Sequence, residues 1–441
     1  MPAMPRRTNR LCRLLPLALA AAIGCAAAGD GGDPRVVALE LTTRPAGTTT
    51  LPAGATETTT MPAVQAKTWD VNTVEELEQA VRNCSPGDHI VLAPGQYRLR
   101  RWLYVTKARV VIRGRTGIPD DVELCGGGMN NDADPENCIW MAADGIQLRD
   151  LTIRDFYKYG VVLSGREPAR TLPDDLVLSN LHFIDCGTRH IKGVNSRDYS
   201  ERVLIEKVYC LQRRKYQRRP GHPVDSNNYI GGIDCMRTKD WIIRDCRFEG
   251  IKGATGGGRG AIFMWIGSVN PLIERNVIID CAAGICLGNG HNPNREHQVS
   301  GGIVRNNFIY HAGGWRSVEM GFLRGLKFVH NTIYEVSPDA TAIDIYDARD
   351  LPAQGLELRN NIVRGRIVSR ARGEVIDSDN VTGEQVLPAW FAGPAAGRLF
   401  LTAKADGAIG KVPPLKEVPQ DITGRARPVG RNGDAGAHQR R

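Results

Sequence analysis

The sequence predicts an all-β solenoid, a stack of short strands in which each coil rests only on its neighbours. Two observations carry that reading. A pattern of apolar-x-apolar, often Arg, then Asn or Asp, returns eight times, at Asp150, Asn180, Lys207, Asp245, Asn276, Asn306, Asn331 and Asn360. Its intervals are 30, 27, 38, 31, 30, 25 and 29 residues, and such a period, built from strands and Gly/Asn turns, belongs to stacked repeats. In addition, no run between residues 140 and 365 keeps a helical period for ten or more residues.

Each element follows from local chemistry. Apolar residues alternate with period two, so each run of about five residues is a strand with one face inside. Strands that short are stable only when paired with the same strand of the next coil, ~4.8 Å away. The Asn or Asp at each bend has two readings: a ladder of stacked side-chain amides, or residues that simply favour turn geometry. Lys207 interrupts the series, and the interval of 38 that follows predicts an inserted loop. Near the start, Thr73 and Glu76 form a capping box and Leu77, Ala80 and Val81 make one apolar face. That predicts a short amphipathic helix capping the first coil.

Two flanking segments extend the pattern. The capped helix runs on into Gly87-Asp-His-Ile-Val-Leu-Ala-Pro-Gly-Gln-Tyr97, and Asp421-Ile-Thr-Gly-Arg-Ala-Arg-Pro428 leads to Ala437. With the repeats, they make the chain resemble the right-handed parallel β-helix repeat proteins of the polysaccharide lyase and pectate lyase-like superfamily. The resemblance implies a right-handed parallel β-helix of roughly nine to eleven coils. It does not extend to a site. The chain lacks the Asp-Pro-His of the C5-epimerases, the paired aspartates and Gly-His-Gly of the polygalacturonases, and the Arg-rich pectate lyase signature. A scaffold alone does not license a function.

Residues 1–25 read as an export signal, with Arg6, Arg7, Arg10 and Arg13 ahead of an apolar core from Leu14 to Ile23. Gly24-Cys25 resembles a bacterial lipobox, so Cys25 is the expected lipidation site, with simple cleavage as the alternative. Residues 26–66, rich in Thr, Ala, Gly and Pro, predict a disordered tether. The coils then occupy 67–387, and 388–441 form a C-terminal cap or tail. No later stretch reaches the roughly eighteen apolar residues of a spanning helix. The expectation is a monomeric protein of the bacterial envelope or outside it, touching a membrane only through a lipid anchor.

The formal charge is +9, and the four leader arginines account for +4 of it, leaving +5. Between residues 187 and 259, sixteen Lys/Arg face eight Asp/Glu, with much of the excess in Arg213-Arg-Lys-Tyr-Gln-Arg-Arg219. Arg214 and Lys215 are therefore candidates to grip an anionic polymer, the plainer reading being a solvated loop. Nucleic acid is not an expected partner of an exported protein of this architecture. Of eleven cysteines, nine follow the leader. Cys125 and Cys138 bracket a polar loop and are the expected disulfide in an oxidising compartment.

If Ile191, Ile233, Ile262, Ile285, Val318 and Ile343 are the inward residues of one strand column, their neighbours point outward. Small residues (Gly232, Ala261, Gly284, Ser317, Ala342) would then floor a trough, with His190, Lys192, Asp234, Phe263, Trp265, Glu319, Asp344 and Tyr346 along it. Aromatic platforms among titratable groups suit an acidic polysaccharide. Lysis of a uronate begins with loss of the C5 proton, once cations have neutralised the adjacent carboxylate. Lys192 is the candidate base and His190 the candidate acid. Arg237 or Arg259 would neutralise the carboxylate. Asp234 and Glu319 would position a cation or a basic side chain, and Trp265 and Tyr346 would carry sugar rings. No motif implies a cofactor, although calcium is compatible with this chemistry. The alternative is a glycan-binding or surface protein without catalysis.

Overall fold

The computed structural model describes residues 66–165, 172–216, 228–290, 296–347 and 351–440. The leader with Cys25, the tether up to residue 65, and the end of the basic run from Gln217 to Arg219 lie outside the described residues.

The short strands pair in parallel, coil upon coil. One ten-stranded sheet comprises β1 (Leu103–Val105), β2 (Asn137–Met141), β3 (Tyr159–Leu163), β4 (Arg189–Gly193) and β5 (Gly231–Met236). It continues through β6 (Ile262–Trp265), β7 (Ala283–Leu287), β8 (Arg316–Gly321), β9 (Thr341–Tyr346) and β10 (Arg366–Ser369). A five-stranded sheet of two-residue strands runs from Ser200–Glu201 to Leu323–Arg324, and the remaining faces form a twenty-stranded assembly, because Gln147–Arg154, Val177–Ile184 and Leu204–Leu211 run unbroken around a bend. Later coils split there into pairs such as Ile242–Arg244 and Arg247–Glu249.

Register ties the stack together. Ile191, Ile233, Ile262, Ile285, Val318 and Ile343 pair in turn from β4 to β9, and all are buried, as the alternation predicts. Apolar burial along this column is continuous from coil to coil, so each strand completes the core of its neighbour.

The bend carries two adjacent columns rather than one. Asp150, Asn180, Lys207, Asp245, Arg275, Asn306, His330 and Asn360 take a left-handed backbone, with φ between 52° and 59°. Lys207 keeps the turn despite its chemistry. One residue later lies the amide ladder. Asn276 donates to Asn307, Asn307 to Asn331, Asn331 to Asn361 and Asn361 to Asn380, over 2.9–3.2 Å. Both readings of the recurring Asn/Asp therefore hold, in different residues. Asn276 and Asn331 belong to the ladder, and the other six repeat ends are turn formers.

The helix α1 (Val74–Asn83) begins at Thr73, whose hydroxyl accepts from the Glu76 amide, while Glu76 accepts from the Asn72 amide. Leu77, Ala80 and Val81 are buried against the first strands. At the other end, residues 388–440 fold back along the outside of the stack. Trp390, Phe391, Leu399 and Leu401 cluster with Phe308, Tyr334 and Ile362, and buried Arg427 reaches Asn306 and the Gly436 carbonyl. The segment is a lateral strap on the outer wall.

All nine described cysteines are buried free thiols, so the expected Cys125–Cys138 disulfide is absent. Burial raises the thiol of Cys125 to about 11 and that of Cys138 well above its ordinary value.

Candidate functional site

The outward column of the ten-stranded sheet reads, strand by strand, Tyr104, Trp140, Val162, Lys192, Asp234, Phe263, Cys286, Glu319, Asp344 and Val368. Charge is confined to its middle and C-terminal part. Asp234 is the hub of the first cluster. One of its oxygens accepts from Arg189 Nε at 2.8 Å and from Lys192 Nζ at 2.9 Å, and the other from Trp265 Nε1 at 3.1 Å. Burial alone would raise the Asp234 carboxyl, but Lys192 and Arg189 more than offset it and hold it at about 2. The Arg189 guanidinium is sealed beneath the Tyr229 ring, 4.2 Å away. Lys192 is the cation of this cluster that still meets solvent, with its side chain 10% exposed.

Farther along the stack, Glu319 is held by Arg259 at 3.2 Å and by the phenol of Tyr346. Arg259 extends across the face. Its guanidinium lies 5.0 Å from the Phe263 ring and donates to Asn289 Oδ1 at 2.7 Å. Phe263 stacks on Trp265 at 5.1 Å. Tyr346 lies flat over Gly321, where a Cβ would come within 2.7 Å of its ring, and its hydroxyl accepts from the Gly290 amide. Last in the row, Asp344 pairs with Arg316 and with Arg370. Asp234 and Glu319 thus position basic side chains. Among the described residues, no group of three or more His, Cys, Asp or Glu is arranged to hold a metal ion.

Several expected site residues lie elsewhere. His190 points inward against Phe183, and neither ring nitrogen is hydrogen-bonded to a described residue. Burial holds its imidazole down to about 4, so it is a neutral core residue and not the acid of the site. The reason is local: the corner leading into each strand turns two consecutive residues inward. Gly232 and Gly284 share that column, and an added Cβ would meet Phe248 or Ile309 in the core. The small residues on the outer face are instead Gly231, Gly260 and Ala283, one position earlier.

Arg237 sits past the end of β5, with its guanidinium on Glu296 at 2.9–3.0 Å and not on the Asp234 cluster. Arg214 is bound to Asp155 and Asp185 at another bend, away from the column. Lys215 is exposed, and its carbonyl accepts from Asn130. The basic run is therefore partly spent on local carboxylates. The reading from sequence missed Tyr229, Trp315 and Arg370, which precede or follow the strands and carry no periodic signal, and Arg316, which opens β8 at the corner where the alternation fails. A cavity of about 640 Å³ lies beside α1, lined by Thr73, Gln96, Arg98 and Arg100, and includes no residue of the column.

Residues 137–313 match the family described as right handed beta helix region. Pectate lyase Pel9A superposes over 86% of this chain and 98% of its own, with a TM-score of 0.55 at 12% identity. The fold is the right-handed parallel β-helix. An alginate lyase from Paenibacillus sp. str. FPU-7 also aligns with this β-helix, over 72% of it and 99% of its own chain, at 16% identity and a TM-score of 0.39. XylC, in complex with xylose, aligns over 84% of the β-helix chain and 98% of its own, at 10% identity and a TM-score of 0.48. No curated protein sequence matches the chain significantly. At these identities the likeness is one of fold, and a shared fold does not carry a shared chemistry.

Proposed function

We propose that the β-helix is an exported protein that binds an acidic polysaccharide along its charged column and cleaves it by β-elimination at a uronate. The observation that carries this is Lys192: an amine held at the solvent edge of a buried ion cluster, two strands from an aromatic stack and within a net cationic row. Arg189, Lys192, Arg259, Arg316 and Arg370 face Asp234, Glu319 and Asp344, five positive groups against three negative. Such a row favours an anionic polymer.

In this reading the Lys192 amine takes the C5 proton of the uronate. The electron pair forms the C4–C5 double bond, the C4–oxygen bond breaks, and water protonates the leaving oxygen. Arg259 meets the uronate carboxylate and stabilises the charge that develops on it. Asp234 and Arg189 are positioning residues that fix the Lys192 amine, and Trp265 offers a ring to the sugar face. Lipidation at Cys25 would tether this body to the envelope.

A second reading, glycan binding without turnover, is favoured by the occupancy of the column, since each of its carboxylates already holds a cation of the protein. Ultraviolet absorbance of the unsaturated uronate product separates the two. Wild type and Lys192→Ala are incubated with alginate, pectate, chondroitin and heparan, with and without calcium. Absorbance that rises with wild type and falls at least about a hundredfold in the variant supports elimination with Lys192 as base. A flat trace on all four polymers, alongside measurable binding, leaves the binding reading.

A further inference from the structure

Trp315 is out of place for a residue that serves only the fold. Among the described residues, the other large apolar side chains left exposed are aliphatic, such as Ile118, Val336 and Leu387, whereas Trp315 is 46% exposed. It follows Gly313-Gly314, a pair with φ of 132° and 141° that turns the chain into β8. Its ring meets two guanidinium groups, that of Arg316 at 4.3 Å and that of Arg259 at 5.3 Å. Arg316 in turn shares Asp344 with Arg370, whose side chain is 60% exposed. An accessible indole beside two arginines, with a third joined to them through Asp344, offers a flat surface for the C–H face of a pyranose and forked donors for its carboxylate.

We infer that Trp315, Arg259, Arg316 and Arg370 form a second acid-sugar subsite, so that the face takes an oligouronate laid along the stack and not a single ring. This rests on the glycan-binding reading above and adds the length and charge of the ligand. The strand of Asp234, β5, and the strand of Arg316, β8, are three pairings apart, ~14 Å at the spacing of paired strands. One pyranose does not span that distance, whereas a short oligomer does. Arg259 joins the two subsites, because it lies over Phe263 on one side and near Trp315 on the other.

Isothermal titration calorimetry on the full chain tests this, with oligogalacturonates and oligomannuronates from dimer to octamer and uncharged cello-oligosaccharides of matching length. Wild type is compared with Trp315→Ala and Arg370→Ala, each also combined with Lys192→Ala so that ligand is not consumed. Both side chains are exposed, and unchanged thermal melts check that the fold is intact. The expected result is affinity that rises with acidic chain length in wild type. Trp315→Ala should bind the octamer about tenfold more weakly and the dimer as before, with a smaller loss for Arg370→Ala. Octamer affinity unchanged in Trp315→Ala overturns the subsite and leaves the glycan reading standing. Equal binding of uncharged oligomers overturns its acid selectivity. No binding of any oligosaccharide by wild type overturns both proposals.

Discussion

Asp234 and Asp344 occupy the same outward column, and each holds two cations, yet the clusters are built for different exposure. Around Asp234, Arg189 is 1% exposed and Lys192 10%, and a tryptophan closes the second oxygen. Around Asp344, Arg316 is 14% exposed and Arg370 60%. The same fold position thus supplies a sealed cluster and an open one. A sealed cluster fixes an amine and its hydrogen bonds with little reorganisation, which suits chemistry. An open one leaves guanidinium donors to a ligand, which suits capture. The fold positions both, and the side chains one coil away decide which of the two each becomes.

Deletion of each carboxylate should separate the two clusters most. Asp234→Ala leaves Arg189 buried without a counterion and should cost about 3–5 kcal/mol. Asp344→Ala leaves cations that can turn to water, and solvent screening limits the cost to about 1 kcal/mol. Urea denaturation of both variants measures the difference. Equal losses would mean that exposure does not distinguish the clusters.

Acid offers the next test, because the corner position differs between the two coils: His190 in the coil of Lys192, Ala342 in that of Asp344. Burial lowers the His190 imidazole from 6.5 to about 4. Its folded value lies below its unfolded one, so below pH 6.5 the unfolded chain takes up the proton first. Stability is therefore whole above pH 6.5 and is lost as pH falls toward 4, by roughly 3 kcal/mol. The Asp234 contribution acts in a lower window. It is present above about pH 3.8 and lost as pH falls toward 2. Burial also lowers the imidazoles of His330 and His438, which share this window, so in urea titrations across pH His190→Leu should reduce the first slope without abolishing it and leave the second. A first slope as steep in the variant as in wild type would assign it to His330 and His438.

The column of buried isoleucines was legible in the sequence because period-two alternation reports burial directly. From it the outward places of Lys192, Asp234, Trp265 and Glu319 followed. His190 was misplaced because alternation fails at the corner, where two consecutive residues face the core, and nothing in the residue types announces the break. Gly232 and Ala261 look equally suited to an open trough and to a crowded interior. Arg237 and Arg214 failed for another reason: charge counts record cations but not the carboxylates that claim them, here Glu296, Asp155 and Asp185. Trp315 was invisible because loop residues have no period to read.

The smallest expected effect tests what closes the sealed cluster. Trp265→Phe keeps an aromatic ring against Phe263 but removes the Nε1 donor from Asp234, leaving one carboxylate oxygen without that partner. Because Lys192 and Arg189 remain on the other oxygen, the stability loss should be about 1 kcal/mol, measured by urea denaturation. If the indole fixes the carboxylate that fixes Lys192, kcat for product formation should fall severalfold more than KM rises, since a stacking ring still meets the sugar. A change in KM alone would make Trp265 a sugar platform only, and the seal around Asp234 would then be the work of Arg189 and Tyr229.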